Sequence, residues 1–168
     1  MRYLFKRIHR FLKSTYFFLR CAKRLGGYKG RPTINNFCVF TKNTFLGINA
    51  HFNGTRIEGK GRVTIGNNFH SGSEVLIITS NHNYEGSMLP YDETEIHKCV
   101  TIGDNVWIGS RVIILGGVTI GDGAIVQAGS VVINDIGYCE IAGGAPAKPF
   151  KKRDITHYER LKNENKYF

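Results

Sequence analysis

Residues 102–132 read IGDNVWIGSRVIILGGVTIGDGAIVQAGSVV. Ile102, Ile108, Ile114, Ile120, Val126 and Val132 stand six residues apart. A second register follows four residues behind: Val106, Val112, Val118, Ala124, Ser130 and Ile136. Period six is neither helical nor a plain alternation. It describes a chain that winds around a prism, one short strand per face and one turn per corner. Within a strand the side chains alternate, so Val106 and Ile108 point inward and Trp107 points out. Val118-Thr119-Ile120 reads the same way. Gly103, Asn105, Gly109, Gly116, Gly117, Gly121 and Gly123 fall at corners, where a positive φ or a close approach is needed.

Upstream the period weakens. Ile34, Phe40, Leu46 and Phe52 keep one register, and Ile65, Ser71 and Ile77 keep another, slipped by one residue around Gly59-Lys60-Gly61. Residues 79–99, TSNHNYEGSMLPYDETEIHKC, have no period and hold four acids. They are expected to leave the prism as a loop, and loops of about 20 residues in compact domains are usually functional. Asp154 is placed to cap a short C-terminal helix over residues 154–168, with Tyr158 and Leu161 on one side.

Charge divides the chain. Residues 1–31 hold ten Lys or Arg and no Asp or Glu, while the remainder balances to zero, leaving a net +10. Residues 1–25 read as an amphipathic helix. Leu4, Ile8, Phe11, Leu12, Phe18, Leu19 and Ala22 take one side, and Arg2, Lys6, His9, Arg10, Lys13, Arg20 and Arg24 the other. Phe17 and Arg7 break that pattern. Gly26-Gly27 and Pro32 end the helix, which divides the chain into a basic segment 1–31, a repeat domain 32–153 and the C-terminal helix. Such a helix suits an anionic membrane surface. No recognition motif accompanies the charge, so no nucleic-acid partner is expected. The four cysteines form no CxxC pair, so no metal site or disulfide framework is expected. Free thiols fit a reducing cytosol. No run of about 20 apolar residues is present. The expected location is cytoplasmic, with peripheral attachment to the inner face of the cell membrane.

Taken together, IGDNVWIGS (102–110), GVTIGD (117–122), QAGS (127–130) and AGGAPAK (142–148) resemble the hexapeptide-repeat acyltransferases. The similarity is greatest to the branch holding galactoside, maltose and serine O-acetyltransferases and the streptogramin acetyltransferases. It covers roughly residues 60–150. The resemblance implies an all-β fold, a left-handed parallel β-helix. It also implies a homotrimer with acetyl-coenzyme A bound between two prisms and no metal.

By the same resemblance His82, in Ser80-Asn81-His82-Asn83-Tyr84, is the general base that deprotonates an acceptor hydroxyl. Glu85 is a candidate to orient it, with a backbone carbonyl as the alternative. Asn81, Tyr84, Asp92, Glu93 and Glu95 are candidates to contact the acceptor. Ser110 matches the position facing the thioester, where an oxyanion donor is required. Ala128 matches a position whose backbone amide meets pantetheine. Trp107 is expected to face the pantetheine arm or the acceptor. Lys148 and Lys151 match basic positions for the coenzyme phosphates. Ile133-Asn134 stands where the family pattern is Thr-Lys, a departure that bears on one phosphate or adenine contact.

The implied activity is acetyl-coenzyme A-dependent O-acetylation of a sugar hydroxyl on a cell-surface polysaccharide or its lipid-linked precursor. Acetylation of a diffusible drug and a non-catalytic scaffold are the competing readings. A hexapeptide carbonic anhydrase would need three metal-binding histidines at repeat-matched positions, which the six here do not occupy.

Overall fold

Ile65, Ile102 and Ile120 are direct neighbours across three parallel strands. That register builds the fold: a parallel β-solenoid of about 6 turns. The computed structural model describes residues 2–168, with side chains described for residue 5 and for 7–168. The side chains of Arg2, Leu4 and Lys6 therefore lie outside the described residues.

Three sheets form the faces. Face I stacks Gly27–Tyr28, Thr44–Leu46, Val63–Ile65, Val100–Ile102 and Thr119–Ile120. Face II stacks Thr33–Asn36, His51–Asn53, His70–Ser71, Trp107–Ile108, Ile125–Val126 and Glu140–Gly144. An antiparallel strand, Ala147–Lys152, then closes face II. Face III stacks Thr55–Glu58, Val75–Ile78, Ile113–Leu115 and Val131–Val132.

Both aliphatic registers point inward, and every residue in them from Ile102 to Ile136 is buried. Each buried Ile or Val contributes roughly 1.5–3 kcal/mol of hydrophobic free energy. Ser71 and Ser130 occupy inward positions too, and their hydroxyls are satisfied. Thr55 Oγ1 lies 3.0 Å from Ser71 Oγ, and Ser130 Oγ donates to the Gln127 carbonyl at 2.7 Å. Corners need glycine for two reasons. Gly117 has φ +98°, and a Cβ on Gly109 would sit 2.4 Å from the Ala128 amide nitrogen.

The slip falls where the sequence places it. Val39 bridges Arg56, a step of 17, whereas Phe45 pairs with Thr64, a step of 19. The two extra residues enter around Gly59, which has φ +93°. The step from Ile65 to Ile102 is 37 residues, against 18 from Ile102 to Ile120. The 19 additional residues form an arm at the corner between faces III and I. The arm has strand structure at its root: Ser80–His82 pairs antiparallel with Glu95–His97.

Helix α1 (Arg2–Cys21) and a 3₁₀ turn (Ala22–Arg24) cover the first coil. The helix seats on a face only partly shared with the one its periodicity suggests: Phe18 and Ala22 pack as expected, and Phe17 and Cys21 join them. Cys21 and Leu25 are buried, and Phe17, Phe18 and Ala22 pack against the core. Ser14 Oγ accepts from the Ile34 amide at 3.1 Å, and Arg31 Nη2 donates to Thr15 Oγ1 at 2.7 Å. Leu19, assigned to the apolar side with Phe18, is 60% exposed. The reason is geometric: the closest contacts with the solenoid are made near the helix's C-terminal end, at positions 14, 17, 18 and 21. No helix of the described residues is long and apolar enough to cross a membrane. Helix α2 (Ile155–Asn163) is capped by Asp154, which accepts from the His157 amide at 2.9 Å, and buries Tyr158.

Candidate active site

The expected site residues fall into two groups. The first runs along face II and its corner with face III. Trp107 projects outward from face II with 54% of its surface exposed. It stands between His70 and Ile125, its partners on the adjoining strands. A pocket of about 330 Å³ opens beside it under α2, lined by His70, Arg153, Tyr158 and Lys162 among others.

Three residues beyond Trp107 the chain turns the corner at Ser110. The Ser110 hydroxyl accepts from the Ser73 amide at 3.1 Å and from Ser73 Oγ at 3.2 Å. With both acceptor positions engaged, its own hydrogen remains to be donated outward. Below it, the Gly129 amide donates to the Ser110 carbonyl at 2.8 Å, and Ala128 lies on the same corner one coil on. Lys148 is opposite Gly143 and Lys151 opposite Ile141 on the closing antiparallel strand, and both lysines are exposed. The corner thus presents a hydroxyl donor, a low wall at Ala128 and a basic end, in line.

The second group sits on the arm. His82 ends the outgoing strand and is exposed. Its ring stacks on Tyr91, centroids 3.9 Å apart and planes within 8°. Its cross-strand partner is Glu95. Glu95 accepts from Lys60 Nζ at 2.5 Å and lies 3.7 Å from His97 Nε2. The Lys60 hydrogen bond and charge, with smaller contributions from His97 and His82, hold the Glu95 carboxyl below its ordinary value. Ser80 Oγ lies 2.7 Å from His97 Nδ1.

Glu85 stands elsewhere: its amide donates to Asn83 Oδ1 at 3.2 Å, and among the described residues its carboxylate bonds nothing. Asn81 and Tyr84 are exposed. Asp92 is engaged by the arm itself. It accepts from Thr94 Oγ1 at 2.5 Å, from the Thr94 amide at 2.9 Å and from the Ser87 amide at 2.8 Å. Those bonds, the Thr94 hydroxyl foremost, lower its pKa to about 2.

Sequence reasoning did not single out Tyr91, Lys60 or Ser73. Tyr91 and Lys60 meet His82 and Glu95 through hairpin register alone, which no periodicity reports. Ser73 lies one coil from Ser110 and was open to detection, once the arm is subtracted from the spacing.

The two groups do not meet within one chain. Ser73 and Ser80 begin and end the crossing of face III, seven extended residues apart, about 20 Å at a strand's rise. An imidazole leaving one corner does not reach a hydroxyl at the other.

The bacterial transferase hexapeptide (six repeats) family model matches residues 99–134. The galactoside O-acetyltransferase of Escherichia coli K12 is 36% identical over 124 residues, covering 71% of this chain and 60% of that protein. A maltose O-acetyltransferase from Clostridium difficile 630 superimposes with a TM-score of 0.68 at 32% identity, covering 79% of this chain and 72% of that one. A hexapeptide-repeat acetyltransferase from Vibrio cholerae, solved with acetyl-coenzyme A, gives a TM-score of 0.62 at 28% identity, covering 77% and 72%. The chain spans between 52% and 60% of the length of three curated relatives it matches. Periodicity, corner geometry and these similarities converge: the chain belongs to the hexapeptide-repeat acetyltransferase family, in its galactoside/maltose O-acetyltransferase-like branch.

Proposed function

We propose that this protein transfers an acetyl group from acetyl-coenzyme A to a hydroxyl of a saccharide, one belonging to a cell-surface polysaccharide or its lipid-linked precursor. The observation that carries this reading is the in-line corner of Ser110, Ala128 and Lys148, with His82 held out at a different corner. Coenzyme phosphates lie at the lysine end, pantetheine runs past Ala128, and the thioester reaches Ser110.

His82 of a neighbouring copy takes the proton from the acceptor hydroxyl. The oxygen attacks the thioester carbonyl carbon, and the Ser110 hydroxyl donates to the developing oxyanion. Collapse breaks the carbon–sulfur bond, and the imidazolium returns its proton to the departing thiolate. Because one chain cannot supply both halves, the active form is a closed ring of copies, a homotrimer with three sites. Lys60 and His97 fix Glu95 beside His82, which makes Glu95 a better candidate than Glu85 to orient the base.

Helix α1 is proposed to hold the trimer on an anionic membrane. Its seat uses positions 14, 17, 18 and 21, while Phe5, Ile8, Leu12 and Leu19 form a separate, exposed apolar stripe. Residues 1–31 carry ten Lys or Arg and no acid, and each cation near anionic lipid contributes about 1 kcal/mol.

The deciding experiment is release of free coenzyme A thiol from acetyl-coenzyme A across a panel of free and lipid-linked saccharides. Turnover with a saccharide is the expected result. A protein that binds no coenzyme A is a scaffold, and the proposal ends there.

A further inference from the structure

The corner that carries Ser110 continues upward to helix α1. Asn53 Nδ2 donates to the Ser71 carbonyl at 2.6 Å, and Asn35 Nδ2 donates to Asn53 Oδ1 at 3.1 Å. Asn35 and Asn53 then open into a pocket of about 620 Å³, whose other walls are Phe5, His9, Arg10 and Lys13 of α1. Among the described residues no carboxylate lies within ion-pair distance of Arg10 or Lys13. Residues 1–31 contain no acid at all. The pocket therefore offers uncompensated cations, an apolar wall at Phe5 and an amide carbonyl on Asn35 free to accept from a hydroxyl. It stands three coils above Ser110, roughly 15 Å at ~4.8 Å per coil.

We propose that this pocket binds the anionic tail of the acceptor, so that the acceptor is a saccharide bearing a phosphate or diphosphate. The inference rests on the acyl-transfer reading of the Ser110 corner and deepens it. The corner then has a cationic site at each end. The Lys148 and Lys151 end holds the donor's phosphates, and the Arg10 and Lys13 end holds the acceptor's. Two like-charged substrates are kept apart by the length of the groove while their reacting ends meet between. Arg10 supplies a planar fork matched to phosphate oxygens, and Lys13 a point charge beside it. A neutral sugar would leave both cations without a counter-charge. The same anion is presented by a soluble nucleotide-linked sugar or by a lipid-linked one whose diphosphate sits at a bilayer surface.

The test uses full-length protein saturated with coenzyme A, which fills the lysine end, titrated with inorganic pyrophosphate by calorimetry. Binding is expected, weakened at least about tenfold in the charge-reversed double variant R10E/K13E. Coenzyme A affinity should be unchanged in that variant, which also reports that it is folded. A second arm presents the diphosphate as farnesyl diphosphate in phosphatidylcholine vesicles. Tighter binding there than to pyrophosphate assigns a lipid-linked acceptor, and equal binding assigns a soluble one. Wild type that binds coenzyme A but not pyrophosphate, or pyrophosphate affinity untouched by R10E/K13E, overturns the inference while sparing the acetyltransferase reading. Failure to bind coenzyme A removes both.

Discussion

Between Ile102 and Ala142 every environment is set by period; between Ser80 and His97 none is. In the coils each side chain stacks on its equivalents, 18 residues on for Ile102, Ile108 and Ile114, and burial follows from position alone. In the arm, order comes from particular polar bonds. Asp92 ties residues 87 and 94 together, and a Cβ on Gly86 would lie 2.0 Å from Asp92 Oδ2, so only glycine lets that carboxylate in. The coils are built to be stable and the arm to be specific. Stability and chemistry should therefore respond to different substitutions.

The sharpest way to break this contrast is His82→Ala. His82, the proposed base, lies on the arm, exposed, and supports nothing in the coils. We expect kcat to fall about 10²–10⁴-fold with coenzyme A affinity and thermal midpoint unchanged. Steady-state kinetics beside a melting curve check both halves. A large loss of stability would make the arm part of the core, and undiminished turnover would remove His82 from the reaction.

The converse substitution is Ile114→Ala. Ile114 is fully buried between Ile77 and Val132 on face III. Removing three carbons there should cost about 2–5 kcal/mol of stability, because stacked coils cannot collapse around the cavity. Denaturant unfolding measures it. Turnover at a temperature where the variant is folded should be near wild type.

Acid sharpens the comparison further. His51 and His70 stack on face II, centroids 4.3 Å apart, under the edge of Phe168. Burial holds both imidazoles below their ordinary value, with His70 adding to the effect on His51. Between those lowered values and about 6.5 the unfolded chain binds more protons, so stability falls as pH drops below about 6.5. Asp92 behaves oppositely. Its lowered value means its bonds persist well below the ordinary carboxylate range and fail only as pH approaches about 2. Moving from pH 7 to pH 5 should lower the thermal midpoint by about 1–3 °C, since both rings are half exposed. The double variant H51Q/H70Q should flatten that slope, and calorimetry at the two pH values decides it.

What the sequence showed follows the same division. Ile102, Val106 and their successors identify the inward face without any structure, because a solenoid repeats its environment every coil. The slip near Gly59 and the extent of the arm are legible as departures from that period. The neighbours of His82 are not. Glu95 and Tyr91 reach it only through an antiparallel register and a loop path that sequence spacing does not encode, which is why Glu85, three residues on, looked the nearer carboxylate. Helix α1 misleads for another reason. A single hydrophobic stripe presumes one partner, whereas this helix has a short seat around Phe17 and Cys21 and a separate stripe from Phe5 to Leu19.

The cysteines offer the mildest probe, since labelling one perturbs little. Cys38 is buried in the first coil, and burial pushes its thiol up to about 11, against smaller opposing effects from the Thr55 and Gly54 amides. Cys139 is buried in the last coil and is likewise raised by burial. Cys99 is exposed where the arm rejoins face I. The thiolate is the reactive form, so native protein at pH 7.5, an ordinary working value near neutrality, should take up a thiol reagent at Cys99 first. Cys38 and Cys139, at opposite ends of the solenoid, should label only as coils open. If the coils unfold as one cooperative unit, those two sites react with the same denaturant midpoint. If the first coil frays alone, Cys38 reacts earlier and the two ends of the repeat separate. Mass spectrometry of the labelled peptides distinguishes the cases. Cys38 labelling in the native state at the rate of Cys99 would mean that period and burial do not govern the coils as argued.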